Sequence, residues 1–304
     1  MMDFYGRRLN TYKALLHTHC TTSDGKFAPE EVIRHYAEAG YHAVAFTDHH
    51  ATNPVSTWDG LGMTLLSGME MHPMGPRGIR WHIVAVGLPE DYSQYDREAP
   101  AQDVIDKAVQ AGAVCICAHP YWSGFTSAEI ASLKNLSAIE VYNTATRYIG
   151  KAYNMQVWDE LSDAGIVLPA VAVDDTHRPR DLFKGWTMIA ADDASRESLL
   201  AALKRGDFYA TQGPEITRLS FKDDMFEADF SPCVEVIGMT NLSRGYMIAV
   251  PDQEGPGEPC REITTAQFKV ARKATPAWLR LQLRDREGRY AWSAPIIVPA
   301  AESV

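Results

Sequence analysis

Seven short segments of this chain carry histidine or carboxylate, and most of them end or directly follow a short apolar run. They are His17-Thr18-His19, Ser23-Asp24-Gly25, Thr47-Asp48-His49, Gly68-Met69-Glu70, Trp81-His82, Ala118-His119-Pro120 and Asp174-Asp175-Thr176-His177. Six of the ten histidines lie in these segments. Placing nitrogen and oxygen donors at the ends of several strands is how a barrel builds a site. Imidazole and carboxylate together suit Zn, Mn or Fe. The pattern points to metal-assisted hydrolysis.

The rest of the composition narrows the setting. At 304 residues the chain exceeds one typical domain, so one large domain plus a smaller one is expected. A net charge of −10 disfavours a polymeric nucleic acid, whose binders usually present a basic face, and favours a small anion as substrate. Residues 1–10 are polar, without the apolar stretch of a signal peptide. No segment offers the ~20 apolar residues of a membrane helix. The five cysteines (Cys20, Cys115, Cys117, Cys233, Cys260) form no scaffold pattern and read as reduced thiols in a cytoplasm. Cys20, beside His19, could also be a ligand. Nothing signals an oligomeric state.

Along the chain, strands are expected at 42–47, 64–66, 83–86, 113–118, 138–142, 167–173 and 186–190. Helices are expected at 29–39, 103–111, 152–164 and 195–204, several stopped by glycine. This alternation points to a parallel α/β barrel or sheet. Beyond residue 212 short strands are expected at 216–221, 234–239, 246–250, 268–271, 278–284 and 296–298, with Pro/Gly-rich turns such as 251–259 between them. That tail reads as a small β-sandwich. The expected division is a barrel over 1–211 and a β-domain over 212–304, joined at Gln212-Gly213-Pro214.

His17 and His19, two residues apart on an extended segment, leave the same face and can grip one ion. Asp175 and His177 repeat that spacing with mixed ligands. Together the segments resemble the PHP (polymerase and histidinol phosphatase) superfamily of metal-dependent hydrolases, in the family's order over residues 14 to about 190. The resemblance implies a distorted (β/α)7 TIM-like barrel holding two or three divalent ions, Mn, Zn or Fe. It implies one ion on His17, His19, Glu70 and Asp175. A second would share Glu70 and take His82 and His119, and a third would take Asp24, His49 and His177. Two ions about 3.5–4 Å apart can share a water, lower its pKa and stabilise charge developing on the electrophile.

Asp48 could orient an imidazole from behind, and His177 or Asp175 could shuttle a proton. For a phosphoester, Arg147, Arg178 and Arg180 are candidate phosphate contacts, since a forked guanidinium suits phosphate. His50 could line the pocket, and Tyr121 and Trp122 either wall it or pack its rim. His72 competes with His82 for a ligand role, and the apolar run after His82 favours His82. Asp175, rather than Asp174, shares a face with His177. His35 and His42 read as surface and packing residues, and Asp192-Asp193 as a helix cap. Residues 203–214 resemble the stretch joining barrel to β-domain in the carbaryl-hydrolase-type branch of the superfamily. The leading reading is therefore a phosphoesterase acting on a small phosphorylated molecule. A carboxyl-ester or carbamate hydrolase is the second, and a metal-binding scaffold without catalysis the third.

Overall fold

The computed structural model of the chain describes residues 1–252, 255 and 261–301. Cys260 and most of the turn read at 251–259 lie outside the described residues. Up to residue 211 the strands are β1 (Met2–Phe4), β2 (Arg7–Leu15), β3 (Ala43–Phe46), β4 (Thr64–Met71), β5 (Ile83–Val86), β6 (Val114–Cys117), β7 (Ala138–Asn143), β8 (Ala170–Val173), β9 (Trp186–Ala191) and β10 (Phe208–Thr211). The helices are α1 (Pro29–Glu38), α2 (Ala101–Gln110), α3 (Pro120–Ser123), α4 (Ser127–Ala131), α5 (Met155–Asp163) and α6 (Arg196–Arg205). Among the described residues beyond these lie β11 (Ile216–Lys222), β12 (Met225–Cys233), β13 (Glu235–Thr240), β14 (Gly245–Ala249), β15 (Ile263–Lys269), β16 (Ala277–Arg284), β17 (Tyr290–Ser293) and β18 (Ile296–Val298).

The result is a mixed α/β fold on one large sheet system, not an all-parallel sheet. Strands β2, β3 and β4 are parallel neighbours, as are β6, β7 and β8. Strand β5 runs antiparallel to both β4 and β6, and β9 antiparallel to β2. Residues 72–82 explain the first reversal. They contain no α-helix to carry the chain back over the sheet, so it re-enters the other way round. The connection from β8 to β9 also lacks an α-helix. Among the described residues β8 forms its ladder with β7 and β9 forms its ladders with β2 and β10, so no ladder register joins β8 to β9. A side-chain bond crosses that gap, from Thr187 Oγ1 to the Ala172 carbonyl, 3.2 Å.

Alternation sorts the strand residues onto two faces. One buried cluster draws on every strand from β2 to β9, including Ala14, Ala45, Leu66, Val84, Ile116, Ala138, Val171 and Ile189. Helix α6 closes it with Leu199, Leu200 and Leu203. The helix lies so close to the end of β5 that a Cβ on Gly87, itself at φ +94°, would meet Leu200 Cδ2 at 2.7 Å. The opposite faces of β6, β7 and β8 pack under α2 and α5, with Cys115 and Cys117 both in that layer. Leu15, Val44 and Phe46 pack under α1.

From β11 onward the pairing is antiparallel. These strands enclose a further cluster, which also takes in Met2 and Phe4 because β1 lies parallel to β11. Strand β10 pairs with β9 on one side and β17 on the other. Helix α5 is tied to β16 by Arg280, fully buried, whose guanidinium lies 3.9 Å from the Trp158 ring centre and pairs with Asp159. Among the described residues no helix is long and apolar enough to cross a membrane.

Leu199 is wholly buried in the cluster that gathers all the strands from β2 to β9. Leu199→Ala should therefore cost about 2–5 kcal/mol, read as a lower denaturant midpoint with an unchanged slope. A loss below about 1 kcal/mol would mean that α6 is not a closing element of this core.

Candidate metal centre

The donor segments are stitched together by their own backbones. The His19 N–H donates to the Thr176 carbonyl (3.1 Å) and the Asp175 N–H to the His17 carbonyl (3.1 Å). The Glu70 N–H donates to the Thr47 carbonyl (3.0 Å) and the His50 N–H to the Glu70 carbonyl (3.1 Å). Segments 17–19 and 175–177 thus run side by side, bridged at Thr18 and Thr176. Alternation points His17, His19, Asp175 and His177 one way. Thr176 faces the other way, where its hydroxyl meets that of Tyr36. Two donors sit on left-handed backbone, Asp175 at φ 51° and His119 at φ 25°. Such conformations persist only where neighbours enforce them. The His119 N–H is held by the Glu140 carboxylate at 2.8 Å.

Glu70, 1% exposed, is the hub. Its Oε2 lies 3.4 Å from His17 Nε2, 3.3 Å from His19 Nε2 and 2.9 Å from His49 Nδ1. Its Oε1 lies 2.6 Å from His82 Nδ1, 3.3 Å from His119 Nε2 and 3.5 Å from His72 Nε2. Asp175 Oδ1 stands 3.3 Å from His17 Nε2 and 3.2 Å from His19 Nε2, and those two nitrogens are 3.1 Å apart. Two donors bound to one ion at 2.0–2.1 Å must stand roughly 2.9–3.4 Å apart at right or tetrahedral angles, and the separations of His17 and His19 from each other, from Glu70 and from Asp175 match. Further out, Asp24 Oδ1 is 3.3 Å from His177 Nε2 and 3.5 Å from His49 Nε2. Asp24 is 58% exposed, which puts this third group at the mouth of the site.

Three donors also test whether cations belong here. His49 Nδ1, His72 Nε2 and Asp175 Oδ1 are buried and make no hydrogen bond. Unpaired buried polar atoms are costly, and a divalent ion would satisfy all three types. The donor set fits metal.

Behind the donors stand residues that fix them. Glu140 Oε1 takes His17 Nδ1 at 2.6 Å, which leaves Nε2 for a metal. Asn143 bridges Glu140 and Asp175 through its amide, at 2.8 and 3.1 Å. His177 Nδ1 bonds the Asp175 carbonyl at 2.9 Å, which leaves its Nε2 for Asp24's side of the site. Sequence reasoning assigned no role to Glu140 or Asn143. The available signal was a charge and an amide inside an otherwise apolar strand.

Asp48 bonds no imidazole among the described residues. Its fully buried carboxylate accepts the backbone N–H groups of Cys20 and Ser23, the Ser23 hydroxyl, the Cys20 thiol and the Asn53 amide. It therefore shapes the loop that presents Asp24. In that loop a Cβ on Gly25 would sit 2.5 Å from the His19 carbonyl oxygen, so only glycine fits. Burial, aided by the Asp48 carboxylate, pushes the Cys20 thiol up to about 12, so it stays a thiol outside the donor groups. Asp174 anchors residues 183–185 by accepting their three backbone N–H groups.

Burial would drive the imidazoles neutral, but the carboxylates reverse it for several. Asp24 and Glu70 lift His49 to about 10, and Asp24 and Asp175 lift His177 to about 9. Glu70 is held well below the carboxylate range despite its burial, by His17, His119 and His19. His82 goes the other way, down to about 4, because burial wins there.

The donors open onto a cleft of about 310 Å³. Arg178, Arg180 and Asp181 form one wall, with Trp122, Ala145 and Thr146 among the other lining residues. Trp122 stands edge-on to His119 and His82. Arg178 makes no ion pair among the described residues. Arg180 stacks on Tyr148 at 3.9 Å. Arg147 does not line the cleft. It bonds the Arg180 carbonyl (3.2 Å) and the Tyr148 hydroxyl (2.7 Å), so it braces that wall. His50, at φ 61°, stacks on Tyr95 outside the cleft lining.

Two predictions follow from this geometry. In the metal-free chain at pH 7, His49 and His177 carry protons that a metal must displace. Loading at pH 7 should release a proton from each, and metal affinity should rise with pH toward 9–10. Calorimetric titration in two buffers of different ionisation enthalpy measures this, and equal heats would contradict it. Glu140→Gln should weaken metal binding about 10–100-fold without unfolding the chain, read by competition with a chromophoric chelator. Undiminished affinity would remove Glu140 from the support of His17.

The chain is similar to a two-domain protein from Bacteroides vulgatus containing a predicted PHP-like metal-dependent phosphoesterase. The two are 16% identical, 95% of each chain is covered, and the TM-score is 0.54. It is also similar to PsfC from Pseudomonas syringae, at 14% identity over 64% of this chain and 88% of that one, with a TM-score of 0.48. A third is the lesion-specific endonuclease PfuEndoQ from Pyrococcus furiosus, at 16% identity over 64% of this chain and 56% of that one, with a TM-score of 0.48. No family model and no curated protein matches the chain. The Bacteroides likeness runs through the C-terminal strands as well as the donor-bearing ones, and the fold of this chain is that of a PHP-like protein.

Proposed function

We propose that this chain is a metal-dependent phosphoesterase acting on a small phosphorylated substrate. One observation carries the reading: the Glu70-centred donor cluster opens onto a cleft whose wall holds Arg178, which has no carboxylate partner among the described residues. The likeness to the Bacteroides protein, which contains a predicted PHP-like metal-dependent phosphoesterase, supports it. In this reading β2–β9 form the barrel over residues 1–211, residues 212–304 form a β-sandwich, and two or three Mn, Zn or Fe ions are held. His17, His19, Glu70 and Asp175 would hold one ion, Glu70, His82 and His119 a second, and Asp24, His49 and His177 a third. When bound, such ions supply a water activated near neutral pH and charge stabilisation at phosphorus.

The chain's own residues do the rest. Arg178 and Arg180 grip the phosphoryl oxygens with fork-shaped donors. Their loop is preset: Asp181 accepts the backbone N–H groups of His177 (3.1 Å) and Arg178 (2.9 Å), and the Tyr148 hydroxyl holds the Arg180 carbonyl (2.7 Å). Positioning of this kind lowers the cost of orienting substrate. Trp122 screens His82 and His119 from bulk water. Residues 203–214, whose likeness suggests an ester or carbamate hydrolase, supply the end of α6 and β10, with Phe208 and Tyr209 buried. None of them lines the cleft, so they do not favour that alternative.

The test is phosphate release by the Mn-loaded chain from p-nitrophenyl phosphate, other monoesters and diesters, and a single-stranded oligonucleotide, beside an EDTA-treated sample. Metal-dependent release from a small ester is expected. Silence on every phosphoester with cleavage of an aryl carboxyl ester would replace the reading with the ester-hydrolase one. Arg178→Ala should raise KM about tenfold or more, since a hydrogen bond to a charged group is worth roughly 1.5–3 kcal/mol. Its metal content should stay unchanged, and a fall in metal content would make Arg178 structural.

A further inference from the structure

The three donor groups described above leave one imidazole of the cleft unused. His72 lines the cleft, and its Nε2 is buried without a hydrogen-bond partner. Its nearest charged neighbour is Glu70 Oε1 at 3.5 Å, the oxygen that also faces His82 and His119. With His49 and Glu70 it forms a set whose donor atoms lie within 4.8 Å of one another. Its ring lies against His82, centroid to centroid 3.9 Å, and against His49 at 4.7 Å.

Its position is built. Strand β4 runs to Met71, so the extended chain carries Glu70 and His72 out on the same face. This is the spacing of His17 with His19 and of Asp175 with His177, used a third time. The backbone of His72 is fixed on both sides: its N–H donates to the Tyr95 hydroxyl (2.7 Å) and its carbonyl accepts Arg80 Nη1 (3.1 Å). Tyr95 in turn stacks on His50. A surface histidine needs no such frame, and a packing histidine would have its ring nitrogen satisfied.

We propose that His72 is a further metal ligand, binding through Nε2 an ion that it would hold together with Glu70 and His49. The inference rests on the metal-centre reading. Its chemical consequence is an ion with two imidazoles and one carboxylate oxygen from the protein. That nitrogen-rich set favours Zn, Co or Fe over Mn, which prefers oxygen donors.

The test uses the full chain, stripped by chelator and reloaded with Zn²⁺ or Co²⁺. The wild type is compared with His72→Ala, His72→Gln and His17→Ala. For both His72 variants we expect one ion's affinity to fall at least tenfold by chelator competition, and the visible Co²⁺ spectrum to change as an imidazole is lost. Preference should also move toward Mn²⁺. A structural role for His72 would leave the cobalt spectrum alone. His72→Gln preserves the side-chain bulk, so it supplies the answer if the alanine variant does not fold. Unchanged affinity and spectrum in His72→Gln, with metal lost in His17→Ala, would overturn this proposal and leave the metal centre standing. Unchanged metal in His17→Ala as well would overturn the metal-centre reading itself.

Discussion

A single buried carboxylate sets the terms for the rest of this molecule. Glu70 sits within 3.5 Å of nitrogens from six imidazoles, three on each oxygen. A charge removed from water in this way must be compensated by partners close at hand. The imidazoles come from the ends of β2, β3, β4, β5 and β6, so those strand ends have to converge on one point. The fold's departures from a plain parallel arrangement serve that convergence. By reversing β5 between β4 and β6, the chain brings His82 in at the start of a strand, while His17, His49 and His119 arrive just beyond strand ends.

The same crowding of charge decides how the metal-free chain holds together. The Asp24 pairs with His49 and His177 illustrate the sign. Both imidazoles are raised above their ordinary value, so their contribution is whole below about pH 6.5 and fades as pH climbs through about 9–10. Asp24 is depressed, so its share is whole above the ordinary carboxylate range and is lost on acidification. Between roughly pH 4 and 6.5 the protonated pairs stand in for ions. Bound ions would exchange one form of compensation for another, within a frame that Glu140, Asn143 and Asp48 hold from behind.

Much of this was legible in the sequence, for a physical reason. Imidazoles and carboxylates placed directly against apolar strands are hard to account for by packing, and the two-residue period shows which of them share a face. That reasoning separates Asp175 from Asp174, and the structure turns Asp174 toward the backbone of residues 183–185. It fails where adjacency stands in for direction. Asp48 is next to His49 in the chain, yet alternation turns it onto the Cys20–Gly25 loop. His50 follows His49, but its positive φ swings it onto Tyr95. Arg147 comes soon after the Glu140 strand and braces the cleft wall from behind. Glu140 itself was invisible because a lone carboxylate in a strand shows its purpose only once His17 is seen beside it. Strands β1, β10 and β17 were missed because runs of three or four residues are too short to show a period, and β12 was not read as a strand either.

The cleft's electrostatics set it apart from the surrounding protein. The chain carries −10 overall, yet the wall formed by Arg178 and Arg180 faces donors whose negative charge bound ions would exceed. Three divalent ions, if held as proposed against Asp24, Glu70 and Asp175, would leave a local balance of about +3. A positive pocket in a negative molecule draws anions inward. The wall is also rigid: Asp181 ties down two successive backbone N–H groups, and Tyr148 holds Arg180 by both its ring and its hydroxyl. In the proposed reaction, donors fixed before substrate arrives would not have to reorganise as charge develops at phosphorus, and such preset fields account for much of the rate enhancement available to a site of this kind.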